Sequence, residues 1–329
     1  MEKVNRAQSV DIVKGILIIL VVVAHTQTDV LHDIIFMFHM PLFFMISGFL
    51  MKREKLLNVG YMLGKIKYLM IPYVVYLVLD MLLVRKTISA RDWMYAIWGG
   101  RAITGVYWYI TCYLFTLLLF FTLLKKFSNR TIKGLILMGG GIAVIESHLV
   151  DKLHLLQTPG IPWNLDVSLI ALVYVGIGFF YKNKIKKMLE SESKKHDLAA
   201  GIVAVSLALF CWLIYKGENR IYYFDMKPVY YKELISAILI PSAFGIVLIR
   251  LVHWMEKVKW LKMLNRFWFF CGRATIPIMF MHIPLNHWRD TFGYDRIMFM
   301  IIGIGVPLAF TLVFNKCKFM RKLFGLPKL

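Results

Sequence analysis

Residues 11–25, DIVKGILIILVVVAH, decide how the rest of the chain is read. Ten apolar residues separate Lys14 from His25, and the apolar run continues far enough to approach the ~20 residues a helix needs to cross a bilayer core. We therefore expect a membrane helix over 12–30. Lys14 and His25 lie eleven residues apart; at about 100° per residue this is about 20° from three full turns, so the two share a face, separated by about 16 Å along the axis. Asp11 falls one turn before Lys14 on nearly the same face, placed to orient it as an i,i+3 pair. Ionisable residues in a spanning segment are costly and face the bundle interior or a wet cavity. Lys14, near the helix end, can snorkel. His25, expected about 5 Å beyond the midpoint, has two open readings. It is either a neutral ring hydrogen-bonded to a neighbouring helix, or a general base, a role that an imidazole titrating near neutrality suits.

Working outward, the 329 residues are 59% apolar and only 18% charged, with mean hydropathy +0.64. A soluble domain is nearer half apolar and a quarter charged, so the bilayer is the natural solvent. The net charge of +21 sits in short clusters between apolar runs, such as residues 182–195 and 316–322. That distribution fits membrane-protein loops. It points to anionic lipid headgroups or an anionic cytosolic ligand as partners, and not to nucleic acid. Cys112, Cys211, Cys271 and Cys317 form no CxxC pair, so neither a disulfide framework nor a thiolate zinc site is expected. The N-terminus has basic residues ahead of an apolar run but no small-residue cleavage site, which reads as a retained first helix.

About ten candidate spans follow: 12–30, 34–51, 66–84, 107–124, 133–150, 165–181, 198–216, 232–252, 270–287 and 296–315. With both termini in the cytoplasm, 29 of the 40 Lys and Arg fall on the cytoplasmic side and 11 outside, the bias of the positive-inside rule. The expectation is an all-α polytopic helix bundle in the cytoplasmic membrane. Residues 1–329 would form a single membrane-embedded domain with no soluble domain appended. No convincing internal repeat supports the common repeat-built transporter folds.

Two other histidines stand in His-x-Pro steps, His39-Met40-Pro41 and His282-Ile283-Pro284. A proline cannot donate to the carbonyl four residues back, so each step predicts a kink that frees the carbonyl of Met37 or Phe280. No carboxylate lies at ligand spacing beside these histidines, so no metal site is expected. Lys52, Arg53, Lys55, Lys65 and Lys67 fit the topology signal equally with a grip on the phosphates of a nucleotide-containing donor. Lys65 and Lys67 lie about 200° apart if both are helical, so one ligand meets both only if the helix starts between them or the ligand wraps its end. Outer-side acids (Asp29, Asp33, Asp80, Glu146, Asp151 and Asp166) suit a carbohydrate site or a plain surface position, with Glu146 the deepest in its segment. Trp108 and Tyr109 read as interfacial anchors or substrate contacts.

These stretches resemble the bacterial acyltransferase-3 family of integral membrane O-acyltransferases. Lys14, ten intervening residues and His25 are similar to the family's opening helix. FHMPLFFMISGFL, with His39, Pro41 and Ser47-Gly48, is similar to its next stretch. KIKYLMIPY, with Lys65, Lys67 and Pro72, resembles its basic-x-basic motif. Tyr107-Trp108-Tyr109 and GRATIPIMFMHIPL around His282 resemble later landmarks. The family often has arginine where this chain has Lys14, Lys65 and Lys67, and lysine binds phosphate without the bidentate fork.

The resemblance implies transfer of an acyl group, usually acetyl, from cytosolic acyl-coenzyme A (acetyl-CoA foremost) to a hydroxyl of a cell-surface carbohydrate or glycolipid. It makes Lys14, Lys65, Lys67 and Arg53 donor contacts and His25 the base, with Asp11 in the catalytic set as the residue that orients Lys14. His39 and His282 would be oxyanion donors, and Glu146, Trp108 and Tyr109 acceptor contacts. A transient acyl-histidine is the alternative chemistry. A glycan or lipid transporter using the histidines as a proton relay is the alternative function.

Overall fold

A computed structural model of the chain describes all residues except 1–5, 27–29, 86–88, 100–101, 103–104, 150–158, 217–221 and 232. In chain order the helices are α1 (Arg6–Ala24), α2 (Val30–Phe36), α3 (His39–Leu50), α4 (Arg53–Leu56), α5 (Val59–Asp80), α6 (Ala90–Trp98), α7 (Tyr107–Lys126), α8 (Asn129–Leu149) and α9 (Val167–Phe180). There follow α10 (Lys182–Glu190), α11 (Lys194–Lys216), α12 (Leu234–Lys257), α13 (Lys262–Arg273), α14 (Thr275–His287), α15 (Arg289–Phe292), α16 (Arg296–Phe314) and α17 (Lys318–Phe324). The only β pairing among the described residues is one isolated bridge, Asp225 with Tyr230. Eight helical stretches among the described residues are long and apolar enough to cross a membrane. The fold is an all-α membrane helix bundle.

Helix covers most of each expected segment, but several boundaries move, and 12–30 and 270–287 are not among the eight stretches. The first helix begins at Arg6 and ends at Ala24, so Lys14 sits near its middle and His25 in the turn after it. The third begins at Val59, where the Asn58 side chain accepts from the Tyr61 amide at 2.9 Å. The segment 270–287 is divided at Ala274 into α13 and α14. Pro277 explains the division: it has no N–H for the carbonyl of Arg273, and its ring crowds that carbonyl. Pro41 acts in the same way on Met37, and the chain turns at 37–38 between α2 and α3. Pro284, by contrast, stands inside an unbroken α14.

The chain divides into two compact units, each assembled from three stretches. The first comprises Met1–Leu50, Tyr174–Met226 and Tyr230–Thr275. Its helices meet backbone to backbone at glycines. A Cβ on Gly15 would lie 1.8 Å from the Trp268 carbonyl oxygen, and one on Gly272 would lie 1.7 Å from that of Asp11. The crossing of α3 with α9 repeats the device: Gly48 would meet the Val175 carbonyl at 2.0 Å and Gly178 that of Met45 at 1.9 Å. Between membrane helices no hydrophobic drive separates lipid from protein, and such close approach supplies the van der Waals contact that holds them.

The second unit comprises Met51–Val173, Lys227–Val229 and Ile276–Leu329. It is packed with rings instead. Tyr76 stacks on Phe280 at 4.9 Å, Tyr107 lies 5.3 Å from Phe280, and the Tyr107 hydroxyl donates to the Tyr76 carbonyl at 3.1 Å. Phe324 of α17 packs against Tyr76 and Phe310.

Candidate active site

The last four carbonyls of any α-helix have no partner within it. At the end of α1 those carbonyls belong to Val21, Val22, Val23 and Ala24, and each finds a donor. The His25 amide reaches Val21 and Val22, both at 3.2 Å, and the His25 ring Nδ1 adds a bond to Val21 at 2.7 Å. Thr26 serves Val23 twice, through its amide at 3.0 Å and its hydroxyl at 2.6 Å. Nδ1 of His32, from α2, reaches the Ala24 carbonyl at 3.1 Å. The turn that carries His25 is thus closed by its own side chains.

Phe36 gathers the rings of this end. His32 stacks on it at 3.9 Å, His39 meets it edge-on at 4.8 Å, and His25 lies at 6.0 Å. His39 is buried, and its Nδ1 reaches back across the break at 37–38 to the Ile35 carbonyl at 2.7 Å. A carbonyl oxygen only accepts, so the nitrogen facing it carries the proton. His25, His32 and His39 are therefore all Nδ1–H tautomers when neutral. The nitrogen that can take up a proton is Nε2 in each.

The same rule revises one expectation. A neutral imidazole has one N–H, and His39 has given its own to Ile35. His282, buried in α14 of the second unit, has likewise given its own to the Ile278 carbonyl at 2.8 Å. Neither neutral ring has an Nε2–H to offer an oxyanion.

On α1 itself, Lys14 Nζ lies 2.7 Å from Asp11 Oδ1, the i,i+3 pair expected from the sequence, with both side chains about one-fifth exposed. Asp11 is held by the crossing with α13, since its carbonyl is the atom that Gly272 packs against.

The remaining candidates belong to the second unit. Lys65 and Lys67 both lie well inside α5, so the helix does not begin between them. Lys65 Nζ stands 5.3 Å from the Tyr113 ring centre, and Tyr113 is stacked with Tyr109 at 6.1 Å. Lys67 is exposed on the other side of the helix. Arg53 is engaged within the protein: Nη1 donates to Asn129 Oδ1 at 2.6 Å and Nη2 to the Leu124 carbonyl at 2.9 Å. Its charge ties α4 to the turn between α7 and α8, a duty the sequence did not reveal. Trp108 is buried beside Tyr109, with ring centres 6.3 Å apart. Glu146 is half-buried one turn before the end of α8. Asp33, Asp80 and Asp166 are buried, not surface acids as their segment-end positions suggested, and Asp29 and Asp151 fall outside the described residues.

His32 and Phe36 were passed over in the sequence. The available signal was the density of histidines itself, His25, His32 and His39 recurring within fifteen residues around Phe36. No group of three or more His, Cys, Asp or Glu able to hold a metal ion occurs among the described residues.

A family model described as an acyltransferase domain matches residues 8–316, nearly the whole chain. The protein belongs to the acyltransferase-3 family and is a multi-pass membrane acyltransferase. No curated protein and no solved structure is significantly similar to it.

Proposed function

We propose that the protein transfers an acetyl group from acetyl-coenzyme A to a hydroxyl of a cell-envelope carbohydrate or glycolipid, with His25 as general base. The observation that supports this most is the bond from His25 Nδ1 to the Val21 carbonyl. It fixes the tautomer whose Nε2 accepts a proton, and it holds the ring at the C-terminal end of α1. Nε2 takes the acceptor's O–H proton as the oxygen attacks the thioester carbonyl. The tetrahedral adduct collapses with loss of the coenzyme A thiolate, and the imidazolium returns the proton to that sulfur. His32 and Phe36 are positioning residues, acting through the closed end of α1.

Lysines are the candidates for the donor phosphates, taken unit by unit: Lys14, oriented by Asp11, is that of the first, and Lys65 and Lys67 are separate candidates in the second. Arg53 drops out of this set, because its guanidinium is engaged with Asn129 and Leu124. Glu146, Trp108 and Tyr109 are the acceptor-side candidates. The membrane is the cytoplasmic one, with both termini on the side that holds coenzyme A.

The test is release of free thiol from acetyl-coenzyme A by purified protein given envelope glycan extract. His25→Ala is expected to lower the rate by about 10²–10⁴-fold with only a small loss of thermal stability, since the amide of residue 25 still serves the Val21 carbonyl. Equal rates in the two proteins would remove His25 from the chemistry. Substrate flux across vesicles without thiol release would favour a transporter instead.

A further inference from the structure

α10 is a nine-residue helix, KNKIKKMLE, with an apolar and a basic side. It joins two candidate spans, Pro162–Phe180 and Lys194–Ile214, so chain connectivity places it at a membrane surface. Its apolar side is already used. Leu189 is buried with Val10 of α1 and Phe49 of α3, and Ile185 packs on the same cluster with Ile249 of α12. Lys182 leans inward, with Nζ 5.8 Å from the Phe49 ring centre. Lys184, Lys186 and Lys187 remain on the opposite side, exposed. There Asn183, Lys186, Lys187, Glu190 and Ser191 line an open depression.

The charge order of α10 runs partly against its own helix dipole. Lys182 and Lys184 stand in the first turn, where anions are favoured, and Glu190 is the last residue, whereas Lys187, in the last turn, is favourably placed. Another helix makes good the C-terminal end. From α12, the buried Arg250 donates through Nη1 to the Met188 carbonyl at 2.7 Å and the Ser191 carbonyl at 2.9 Å, and His253 Nδ1 reaches the Leu189 carbonyl at 2.8 Å. The basic side receives little from the helix's own acids: the first turn contains none, and Glu190, at the far end, meets Lys186 at 3.9 Å. The first-turn lysines thus oppose helix stability, while α12 holds the helix from behind.

We propose that this face is a binding site for anionic phospholipid headgroups, with Lys184, Lys186 and Lys187 meeting the phosphate of a lipid such as phosphatidylglycerol. A headgroup phosphate supplies the negative charge that the basic end of α10 lacks, and the bilayer presents it at the depth where α10 lies. Because α10 packs on Val10 of α1, the lipid also braces the helix that carries Lys14. The proposal does not rest on the acyl-transfer reading.

The test uses full-length protein in phosphatidylcholine vesicles containing graded spin-labelled phosphatidylglycerol, with protein-bound label as the readout. Wild type is expected to prefer phosphatidylglycerol over phosphatidylcholine. Lys184→Gln/Lys186→Gln/Lys187→Gln is expected to weaken that preference by about fivefold per lysine removed. The triple Arg variant should retain it, as should a Lys125→Gln/Lys126→Gln control at the end of α7. An unchanged preference in the Gln triple would overturn the proposal, as would an equal loss per lysine in the control. Displacement of the lipid by millimolar inorganic phosphate would overturn it in favour of a soluble-anion site.

Discussion

Each unit uses an arginine to close the end of a helix that the arginine does not belong to, but the two are built differently. In the first unit Arg250 is only 4% exposed. It serves two carbonyls at the end of α10 and forms an ion pair with Asp197, with Nε at 3.0 Å from the carboxylate oxygen. Around it His253 and Lys257 reach Leu189 and Glu192 from the same face of α12. In the second unit Arg53 serves one carbonyl, that of Leu124, and one neutral amide, that of Asn129, from a half-exposed position. The difference teaches where each unit keeps its rigidity. The first relies on glycine crossings and a buried charged network, in which one lost group leaves several others unmet. The second relies on stacked rings, and its arginine is an outlying tether.

Removing the arginines tests that contrast. Arg250→Ala should be the most damaging change, costing about 3 kcal/mol, because buried carbonyls lose their donor; Arg250→Lys should recover part of this, having charge without the fork. Thermal unfolding in detergent measures both. Arg53→Ala should cost about 1 kcal/mol, since water can replace it at a half-exposed site. A cost equal to that of Arg250→Ala would break the distinction.

Acid provides the smallest and most selective probe. The Glu192 carboxyl is held below its ordinary value of 4.5, first by the hydrogen bond from Lys257, against opposing desolvation, and then by the charges of Lys257, His253 and Arg250. A lowered folded-state value means a contribution present above the ordinary range and lost as pH falls through the folded one. Glu192→Gln should therefore unfold slightly below wild type at pH 7, with the gap narrowing as pH drops beneath 4.5. The gap for Arg53→Ala should not move, because both its acceptors are neutral.

Much of this architecture was legible in the sequence, and for definite reasons. The apolar density of 11–25 marks a helix, and periodicity alone pairs Asp11 with Lys14, because both partners lie within one turn. The break before α3 follows from Pro41, because the clash of a proline with the carbonyl four residues back is local. The equivalent break at Ala274 was missed: Pro277 was in plain view, but the unbroken apolar run 270–287 was read as one span. α1 starts earlier than the expected 12, at Arg6, and Ser9 is buried within it, donating to Glu256 at 2.8 Å. What sequence reading could not supply was partnership across distance. Arg53 and Arg250 both carry visible charge, but the carbonyls they serve lie some sixty to seventy residues away. A charge seen without its partner reads equally well as a topology signal, a phosphate grip or a helix cap.

The crossing of α1 with α13 has a consequence for how this sequence can drift. Gly15 and Gly272 are each blocked by backbone, the first by the Trp268 carbonyl and the Gly272 nitrogen, the second by the Asp11 carbonyl and the Gly15 nitrogen. No substitution elsewhere can trim a main chain to make room, so neither glycine has a compensating partner and there is no two-step route out. The lineage is locked at these two positions for as long as it keeps the fold, and the register that sets Asp11 and Lys14 is inherited with them.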